Sequence, residues 1–195
     1  MINPFVIVGL GNIGREYDNT RHNVGFYVLD LLASLFEITQ STVKFNGEIQ
    51  TVSYNLSGCN LKGYLIKPHT FMNLSGECVR PFIDYYKIPV SNVLIIHDDV
   101  DLKNGQMKFK CGGGDAGHNG LKSLTSHLNT NKYYRLRIGV DRPQNKSYDM
   151  INWVLGRLTN SEKELIEKQA ALIKKHFDLF LSGNIARFQE RINTK

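Results

Sequence analysis

The sequence predicts a single α/β domain, in which helices cover both faces of a twisted, mixed but mainly parallel β-sheet. Short apolar runs alternate along the chain with longer amphipathic ones, which is the element order typical of α/β proteins. Residues 93–96 are apolar at every position, as expected for a strand that is buried on both faces of a sheet. No repeat, low-complexity tract or linker interrupts the 195 residues, so one domain over residues 1–195 is expected.

The first half of the predicted fold is a strand, a helix and two further strands. The apolar residues 5–8 form the first strand, and Asn23 caps the helix that follows. The predicted buried stripe of this helix consists of Val24, Val28, Leu31 and Leu35. Strand-like runs then predict two strands, at 48–54 and 61–66.

The second half adds a helix before strand 93–96 and three more elements after it. The helix over residues 75–87 is expected to bend or to begin late at Pro81, because proline lacks the backbone N–H that a helix interior uses. Strands are predicted at 106–111 and 134–140, and a helix that begins near His118 separates them.

The last long helix is predicted to pack on the domain and has clear signals at both ends. Thr159 precedes Glu162 by three residues, which is a capping-box pattern for the first turn. The apolar residues keep helical spacing and are Ile166, Ala170, Ile173, Phe177 and Phe180. Gly183 ends the helix.

The composition is that of a globular protein with an excess of basic residues. Lysine and arginine total 24 against 18 aspartate and glutamate residues, a net charge of +6, which suggests a polyanionic partner. The three cysteines, Cys59, Cys78 and Cys111, form no C-x-x-C motif, so neither disulfides nor a zinc site is expected. No apolar run approaches the roughly 20 residues that span a bilayer, and residues 1–4 lack the basic start of a signal peptide. A cytoplasmic protein without membrane contact is therefore expected.

A glycine-rich turn follows the first strand, and the spacing of its glycines allows two interpretations, a dinucleotide-binding site or a tight turn. Gly9, Gly11 and Gly14 match the G-x-G-x-x-G fingerprint of dinucleotide-binding proteins. In that fingerprint the next helix begins inside the motif, so that its N-terminal amides hold the pyrophosphate. Here residues 15–23 are polar without an apolar stripe, and the helix is predicted only after them. We therefore favour a tight turn that lifts Asn12 over the end of the strand.

Polar side chains follow the carboxyl ends of four predicted strands, where ligand sites of open α/β sheets form. These residues are Asn12, Tyr17, His22, Asn73, Asp98, His118 and Asn119. They include no serine or cysteine in a nucleophile elbow such as G-x-S-x-G. A histidine and a carboxylate without such a nucleophile suggest direct attack by water, with His22 as the base. A carboxylate on its other nitrogen would fix the tautomer, and asparagine amides would bind an oxyanion or a substrate amide.

Structural interpretations of the same residues remain open at this point. The three asparagines could each be turn formers. The acidic residues within 98–101 could bind a hard cation, or could cap the strand end and carry solvated charges. The glycines at 112–114 could cradle a phosphate, or could form a flexible loop without a ligand.

Basic residues alternate with apolar ones on two predicted strands. Lys108 and Lys110 share one face of their strand, and Arg135 and Arg137 share one face of theirs. A common cationic face could grip a nucleic-acid backbone in a sequence-independent contact. The alternative is two half-buried strands whose outer faces are solvated.

Five motifs occur in a fixed order along the chain. They are VGLGNIGREYDNTRHNVGF, KPHTFMNLSG, HDDVDL, GGGDAGHNGLKS and YRLRIGV. Their combination resembles bacterial peptidyl-tRNA hydrolases, and the resemblance extends from the first strand to about Leu158. That family cleaves the ester between a peptide, or an N-blocked amino acid, and the 3′ ribose of tRNA. The resemblance implies one α/β domain around a mixed sheet, no metal or other cofactor, and a monomer.

The resemblance also implies roles for individual residues. His22 would accept a proton from water, Asp98 would hold it in its basic form, and Asn12 would distinguish a blocked amino group from a free one. The implied substrate and tRNA contacts are Tyr17, Asn23, Phe71, Met72, Asn73, His118, Asn119, Lys108, Lys110 and Arg137. The implied partner is peptidyl-tRNA, through its acceptor end and its phosphate backbone.

Two places depart from the family pattern. Asp115 and Ala116 stand in the glycine loop where a histidine and often a glycine occur, and an acid there would repel phosphate. Asp141 lies where a glycine is common, which would alter the nearby lid.

Overall fold

The computed structural model describes residues 1–145 and 147–193, and this part of the chain contains seven strands in one sheet. The strands are β1 (Phe5–Gly9), β2 (Glu37–Lys44), β3 (Gly47–Leu56), β4 (Cys59–Pro68), β5 (Val93–Asp99), β6 (Met107–Cys111) and β7 (Tyr134–Gly139). Their spatial order is β2-β3-β4-β1-β5-β7-β6. The four central strands run parallel, whereas β2, β3 and β6 pair antiparallel with their neighbours. The predicted mixed sheet with a parallel centre is confirmed.

Helices cover both faces of the sheet, as predicted. They are α1 (Val24–Ala33), α2 (Ser75–Tyr85), α3 (Asn119–Leu128), α4 (Met150–Leu155), α5 (Asn160–Leu181) and α6 (Ile185–Ile192). One apolar cluster packs α1, α5 and α6 on one face, and a second cluster packs α2 and α3 on the other. Strand β1 supplies Phe5 and Ile7 to the first cluster and Val6 and Val8 to the second, because successive side chains point to opposite faces. None of the helices described is long and apolar enough to cross a membrane.

Two predicted helices differ in detail from those in the structure. Helix α2 begins at Ser75 and continues through Pro81, so the prediction of a late start is wrong. Helix α1 ends at Ala33, which leaves Leu35 beyond it. The buried side of α1 is formed by Val24, Gly25, Val28, Leu29 and Leu32, whereas Leu31 is only partly buried.

Three elements were not predicted, and their residues explain why. Strand β2 is the edge of the sheet and is exposed at nearly every position, so it lacks the apolar alternation of a half-buried strand. Helices α4 and α6 are short, and α6 buries only Phe188 and Ile192. Strand β5 also continues to Asp99, so Asp98 lies on the strand itself and not after it.

Glycines allow the start of α1 to pack closely on the centre of the sheet. A Cβ atom on Gly25 would lie 2.4 Å from the carbonyl oxygen of Ile96 and 2.4 Å from the backbone nitrogen of Leu10. A Cβ atom on Gly9 would lie 2.4 Å from the carbonyl oxygen of Gly25. This contact brings the turn before α1 to the carboxyl ends of β1 and β5, where the polar residues of the sequence converge.

Candidate active site

A cavity of about 440 Å³ lies at the carboxyl edge of the parallel strands. Ten of the residues that the sequence predicts for the site line it: Asn12, Tyr17, His22, Met72, Asn73, Asp98, Lys110, His118, Asn119 and Arg137. They come from the segments after β1, β4 and β6 and from strands β5, β6 and β7. The topology therefore assembles groups that are more than half the chain apart in sequence, such as Asn12 and Arg137.

Three further predicted contacts lie outside this lining. Asn23 is buried behind Asn12, where its carboxamide accepts a hydrogen bond from the Asn12 N–H and donates one to the Asn12 C=O, at 2.8 and 2.9 Å. Phe71 is 54% exposed, and its ring lies edge-on to that of Tyr17 with 6.5 Å between centroids. Lys108 is exposed on β6, opposite Arg137 of β7.

His22 and Asp98 form the central pair of the site. His22 lies in the short 3₁₀ turn Arg21–Asn23 that precedes α1, and its Nδ1 is 2.9 Å from Oδ1 of Asp98. Burial alone would lower the pKa of His22, but the charge of Asp98 and the hydrogen bond to it raise that pKa above its ordinary value of 6.5. Because Asp98 accepts at Nδ1, the Nε2 atom of a neutral His22 carries the free lone pair.

His118 binds the same carboxylate oxygen from the other side. Its Nε2 is 2.9 Å from Oδ1 of Asp98, while its Nδ1 accepts hydrogen bonds from the N–H groups of Gly120 and Leu121 at 3.1 and 3.4 Å. His118 is thus the N-cap of α3, a place usually taken by Ser, Thr, Asp or Asn. An accepting Nδ1 requires the proton of the neutral ring to be on Nε2, so His118 is a fixed donor to Asp98.

Asp98 is held as an anion by these two imidazoles. It is 3% exposed, and burial alone would raise its pKa. Electrostatic interaction and hydrogen bonding with His22 and His118 reverse this effect and hold the pKa of Asp98 well below its usual range. The buried carboxylate is therefore charged at neutral pH and orients both rings.

Asn12 presents one defined group to the cavity. Its Oδ1 accepts a 2.7 Å hydrogen bond from the backbone N–H of Met72, and its own N–H and C=O are bound by Asn23. With the carbonyl side of the carboxamide engaged, the Nδ2 amide is the group left to donate to a ligand.

The basic strands differ in part from the predicted cationic face. Lys110 pairs across the sheet with Arg135, so both lie on one face as predicted. However, Arg135 is 1% exposed and donates to the carbonyl oxygens of Gly114 and Gly113 at 2.7 and 2.8 Å. Arg135 is therefore an internal anchor of the glycine loop, residues 112–117. Arg137 is in an ion pair with Asp99 at 2.6 Å.

Lys110 lines the cavity close to Arg137 and Arg135. Burial lowers its pKa, and the charges of Arg137 and Arg135 lower it further against the attraction of Asp99. A Cβ atom at residue 113 would lie 2.6 Å from the Lys110 Nζ, so glycine at this position leaves room for the ammonium group. Lys110, Arg135 and Arg137 thus form a cationic cluster on this side of the cavity, which favours an anionic ligand there.

The backbone conformation at residues 116 and 141 explains why glycine is common in the family at these positions. Ala116 and Asp141 have φ angles of 50° and 61°, in the left-handed region that favours glycine. Aspartate tolerates this conformation better than most residues. The carboxylate of Asp115 accepts a 2.9 Å hydrogen bond from the N–H of Gly117, so it is used inside the glycine loop.

Sequence reasoning missed one wall of the cavity. Helix α4 contributes Met150, Ile151, Val154 and Leu155, which are all apolar. The six-residue helix is too short for a periodic pattern, but Asp149 marks its start by capping the N–H groups of Ile151 and Asn152. The lining therefore combines an apolar wall from α4 with a set of amide and imidazole groups.

The fold and the site together define an α/β protein with a polar cavity at the carboxyl edge of its parallel strands. A histidine–aspartate pair lies among carboxamides, and no serine or cysteine occurs among the described residues that line the cavity. The family model for peptidyl-tRNA hydrolase matches residues 6–195. The chain therefore belongs to the peptidyl-tRNA hydrolase family, and the resemblance seen in the sequence is confirmed.

Individual relatives agree with this assignment over most of their length. The chain is 48% identical over 163 residues to a peptidyl-tRNA hydrolase of Geobacillus kaustophilus, which covers 84% of this chain and 85% of the relative. It is 42% identical over 188 residues to one of Rickettsia bellii, with 96% and 98% covered. The crystal structure of peptidyl-tRNA hydrolase from Acinetobacter baumannii matches with a TM-score of 0.87 at 36% identity, over 100% of this chain and 96% of that one.

Proposed function

We propose that this protein hydrolyses the ester bond between a peptide, or an N-blocked amino acid, and the 3′ ribose of tRNA, with His22 as general base. As a member of the peptidyl-tRNA hydrolase family the chain is an enzyme that acts on peptidyl-tRNA. The observation that carries the finer proposal is the 2.9 Å hydrogen bond between His22 Nδ1 and buried Asp98, in a cavity lined by carboxamides.

The proposed reaction needs only water and the side chains of this site. The Nε2 atom of His22 accepts a proton as water adds to the ester carbonyl, and the negative charge of Asp98 stabilises the imidazolium. The tetrahedral oxyanion then collapses and breaks the bond to the ribose 3′ oxygen, which takes the proton back from His22. The products are free tRNA and the peptide acid, which releases its carboxyl proton to solvent and becomes a carboxylate.

The free amide of Asn12 supports selection for a blocked amino group. A donor at this position complements the carbonyl oxygen of a peptide bond or an acetyl group. A free α-ammonium group offers only donors, so it would leave the Asn12 amide without an acceptor. We assign the remaining carboxamides, Asn73 and Asn119, to the substrate and its oxyanion.

The hydrogen bonding of His118 supports a metal-independent reaction. Potential ligand atoms of His22, Asp98 and His118 lie within 4.8 Å of one another, which is compact enough for a metal ion. However, Nε2 of His118 carries the proton, because its Nδ1 accepts from the backbone at the start of α3. Ligation through Nε2 would move this proton to Nδ1 and remove the helix cap.

The remaining expectations are also part of the proposal. The tRNA would bind through its acceptor end, with Tyr17 and Phe71 against the terminal base and Lys110 and Arg137 on the phosphate backbone. Asn23 would act through Asn12, which it holds. The protein would work as a monomer in the cytoplasm, with residues 1–195 as one domain.

The proposed function is tested with purified protein and two substrates. We expect release of tRNA from N-acetylaminoacyl-tRNA, much slower release from the unblocked aminoacyl-tRNA, and no effect of EDTA on either rate. Loss of activity in EDTA, restored by a divalent cation, would contradict the metal-independent reaction. Binding of the substrate without any release would instead indicate an RNA-binding protein that has lost catalysis.

A substitution of Lys110 tests the anionic contact. Lys110→Ala is expected to raise KM for the tRNA substrate more than it lowers kcat, since the ammonium group lies on the cationic side and not at the base. The slope of log KM against log salt concentration should fall by roughly one, the amount expected for the loss of one phosphate contact.

The exposed Lys175 of α5 serves as a matched control, because Lys175→Ala removes the same charge away from the cavity. Lys110 is a cleaner test than Arg137, whose removal would leave buried Asp99 unpaired. An unchanged salt slope in Lys110→Ala would mean that the tRNA backbone binds elsewhere.

A further inference from the structure

Arg21, the residue before His22, is almost fully buried between three elements. It is 8% exposed, and its Nε and Nη2 atoms donate to the two carboxylate oxygens of Glu162 at 3.0 and 3.2 Å. Glu162 lies in the first turn of α5 and is itself bound by the N–H of Thr159 in a capping box. The turn that carries His22 is therefore tied to the start of α5.

The same guanidinium group also holds α4. Its centre lies 4.0 Å above the ring of Trp153, in cation–π geometry, and its Nη1 donates to the Trp153 carbonyl at 3.4 Å. The Arg21 N–H donates to the carbonyl oxygen of Gly156 at 2.9 Å, directly after α4. Arg21 thus connects His22 to the helix that forms the apolar wall of the cavity.

Trp153 lies on α4 among residues that line the cavity. Val154 and Leu155 follow it and Ile151 precedes it, and all three line the cavity. Its indole N–H donates to the carbonyl oxygen of Asp141 at 2.8 Å, which fixes the ring from the other side. The position of Trp153 therefore reports the position of the apolar wall.

We propose that Arg21 is a positioning residue for hydrolysis, which holds the His22 turn and helix α4 as one unit through Glu162 and Trp153. This inference rests on the proposed function and adds a residue to it. A buried ion pair is a weak source of stability compared with apolar packing of the same size. The planar, bidentate contact between Arg21 and Glu162 does fix the orientation of the two groups relative to each other, which a flexible apolar side chain would not.

The expected effect is on the chemical step. Attack by water requires the base, the ester carbonyl and the substrate wall to be aligned, and a misplacement of about 1 Å is able to cost roughly a hundredfold in rate. The cations proposed to face the tRNA backbone, Lys110 and Arg137, lie on β6 and β7. The partners of Arg21 are instead Glu162, Trp153 and Gly156. Loss of Arg21 should therefore lower kcat more than it raises KM.

The main test variant is Arg21→Met combined with Glu162→Gln. The pair removes both buried charges together, so neither is left unpaired, and glutamine retains the capping box. A second variant, Gly156→Ala, keeps every charge but introduces a Cβ atom that would lie 2.8 Å from the Arg21 Nη1. Arg80→Gln is the control, because it breaks the exposed pair with Asp84 on α2.

Two readouts separate positioning from a purely structural role. The chain has one tryptophan, so acrylamide quenching of its fluorescence reports how accessible the Trp153 ring is to the quencher. The ring becomes more accessible when its contacts with Arg21 are lost. We expect stronger quenching and a kcat roughly tenfold or more lower in the double variant, smaller changes of the same sign in Gly156→Ala, and neither change in Arg80→Gln. The measurements are normalised to folded protein by circular dichroism.

A folded double variant with the kcat and quenching of the wild type would overturn the proposal. So would a fall in thermal midpoint with kcat per folded molecule unchanged, since this is the result of a structural role alone. If the wild type did not hydrolyse N-acetylaminoacyl-tRNA at all, the proposed function would fail instead. Quenching, which needs no substrate, would still test whether Arg21 holds α4.

Discussion

Replacing His22 with alanine is expected to lower kcat for N-acetylaminoacyl-tRNA by a factor of about 10² to 10⁴, the usual contribution of a general base. The substitution removes the Nε2 lone pair that we propose as the acceptor of the water proton. Asp98 retains its second partner, His118 at 2.9 Å, so the carboxylate does not become an unpaired buried charge. Binding of tRNA should survive, because Lys110 and Arg137 are untouched.

The measurement is single-turnover hydrolysis together with equilibrium binding of the same labelled tRNA. His176→Ala, on α5 and outside the cavity lining, is the matched control for loss of an imidazole. Wild-type rates in His22→Ala would exclude this residue as the base. Equal losses of binding and of rate would point to a role in holding the tRNA.

The centre of the fold was predictable because its strands have strong local patterns. Residues 93–96 are apolar throughout, and in the structure β5 is buried at every position between β1 and β7. The long helix α5 follows its capping box and its apolar spacing from Thr159 onward. In such elements the pattern of apolar residues along a short stretch of sequence shows which side chains are buried.

The periphery was less predictable, since its structure depends on contacts that are distant in sequence. Strand β2 is polar and exists because it continues the sheet beside β3. Helix α4 is six residues long and is held by Arg21, more than a hundred residues earlier in the chain. Propensity summed over a short window does not contain these interactions.

The candidate site follows the same division. His22, Asn12 and Asp98 could be singled out because each lies at the carboxyl end of an apolar strand or in the polar segment that follows one. The function of Arg135 could not, because alternation along β7 places its side chain on the face of Arg137 and does not reveal that the glycine loop covers it. Local pattern predicts which way a side chain points, whereas its partner is decided by the tertiary fold.

Replacing Asp98 with asparagine is expected to reduce kcat by roughly 10² to 10⁴ while leaving the shape of the site nearly unchanged. The Oδ1 of an asparagine can still accept from both His22 and His118, so the two rings retain an acceptor. What disappears is the negative charge that stabilises the imidazolium formed as water is deprotonated. The loss should appear in kcat, with binding of tRNA preserved.

The pH dependence of kcat should also change in a defined direction in Asp98→Asn. In the wild type Asp98 raises the pKa of His22 above 6.5, and the base works only when deprotonated, so activity should rise with pH through a midpoint above 6.5. Without the carboxylate charge, burial remains as the main influence on His22 and lowers its pKa. The acid limb of the kcat profile in Asp98→Asn should therefore move to lower pH even though the maximal rate is far smaller.

Asp101→Asn is the matched control, because it removes an exposed charge three residues away that pairs with Arg142. It should change neither the maximal rate nor the acid limb. A lower rate with an unmoved acid limb in Asp98→Asn would mean that some group other than His22 controls the titration. A rate near that of the wild type would mean that the carboxylate contributes only to structure, and the proposed mechanism would then lose its charge partner. A lower rate together with a lower midpoint distinguishes electrostatic support of the base from simple damage to the site, which would lower the rate without moving the midpoint.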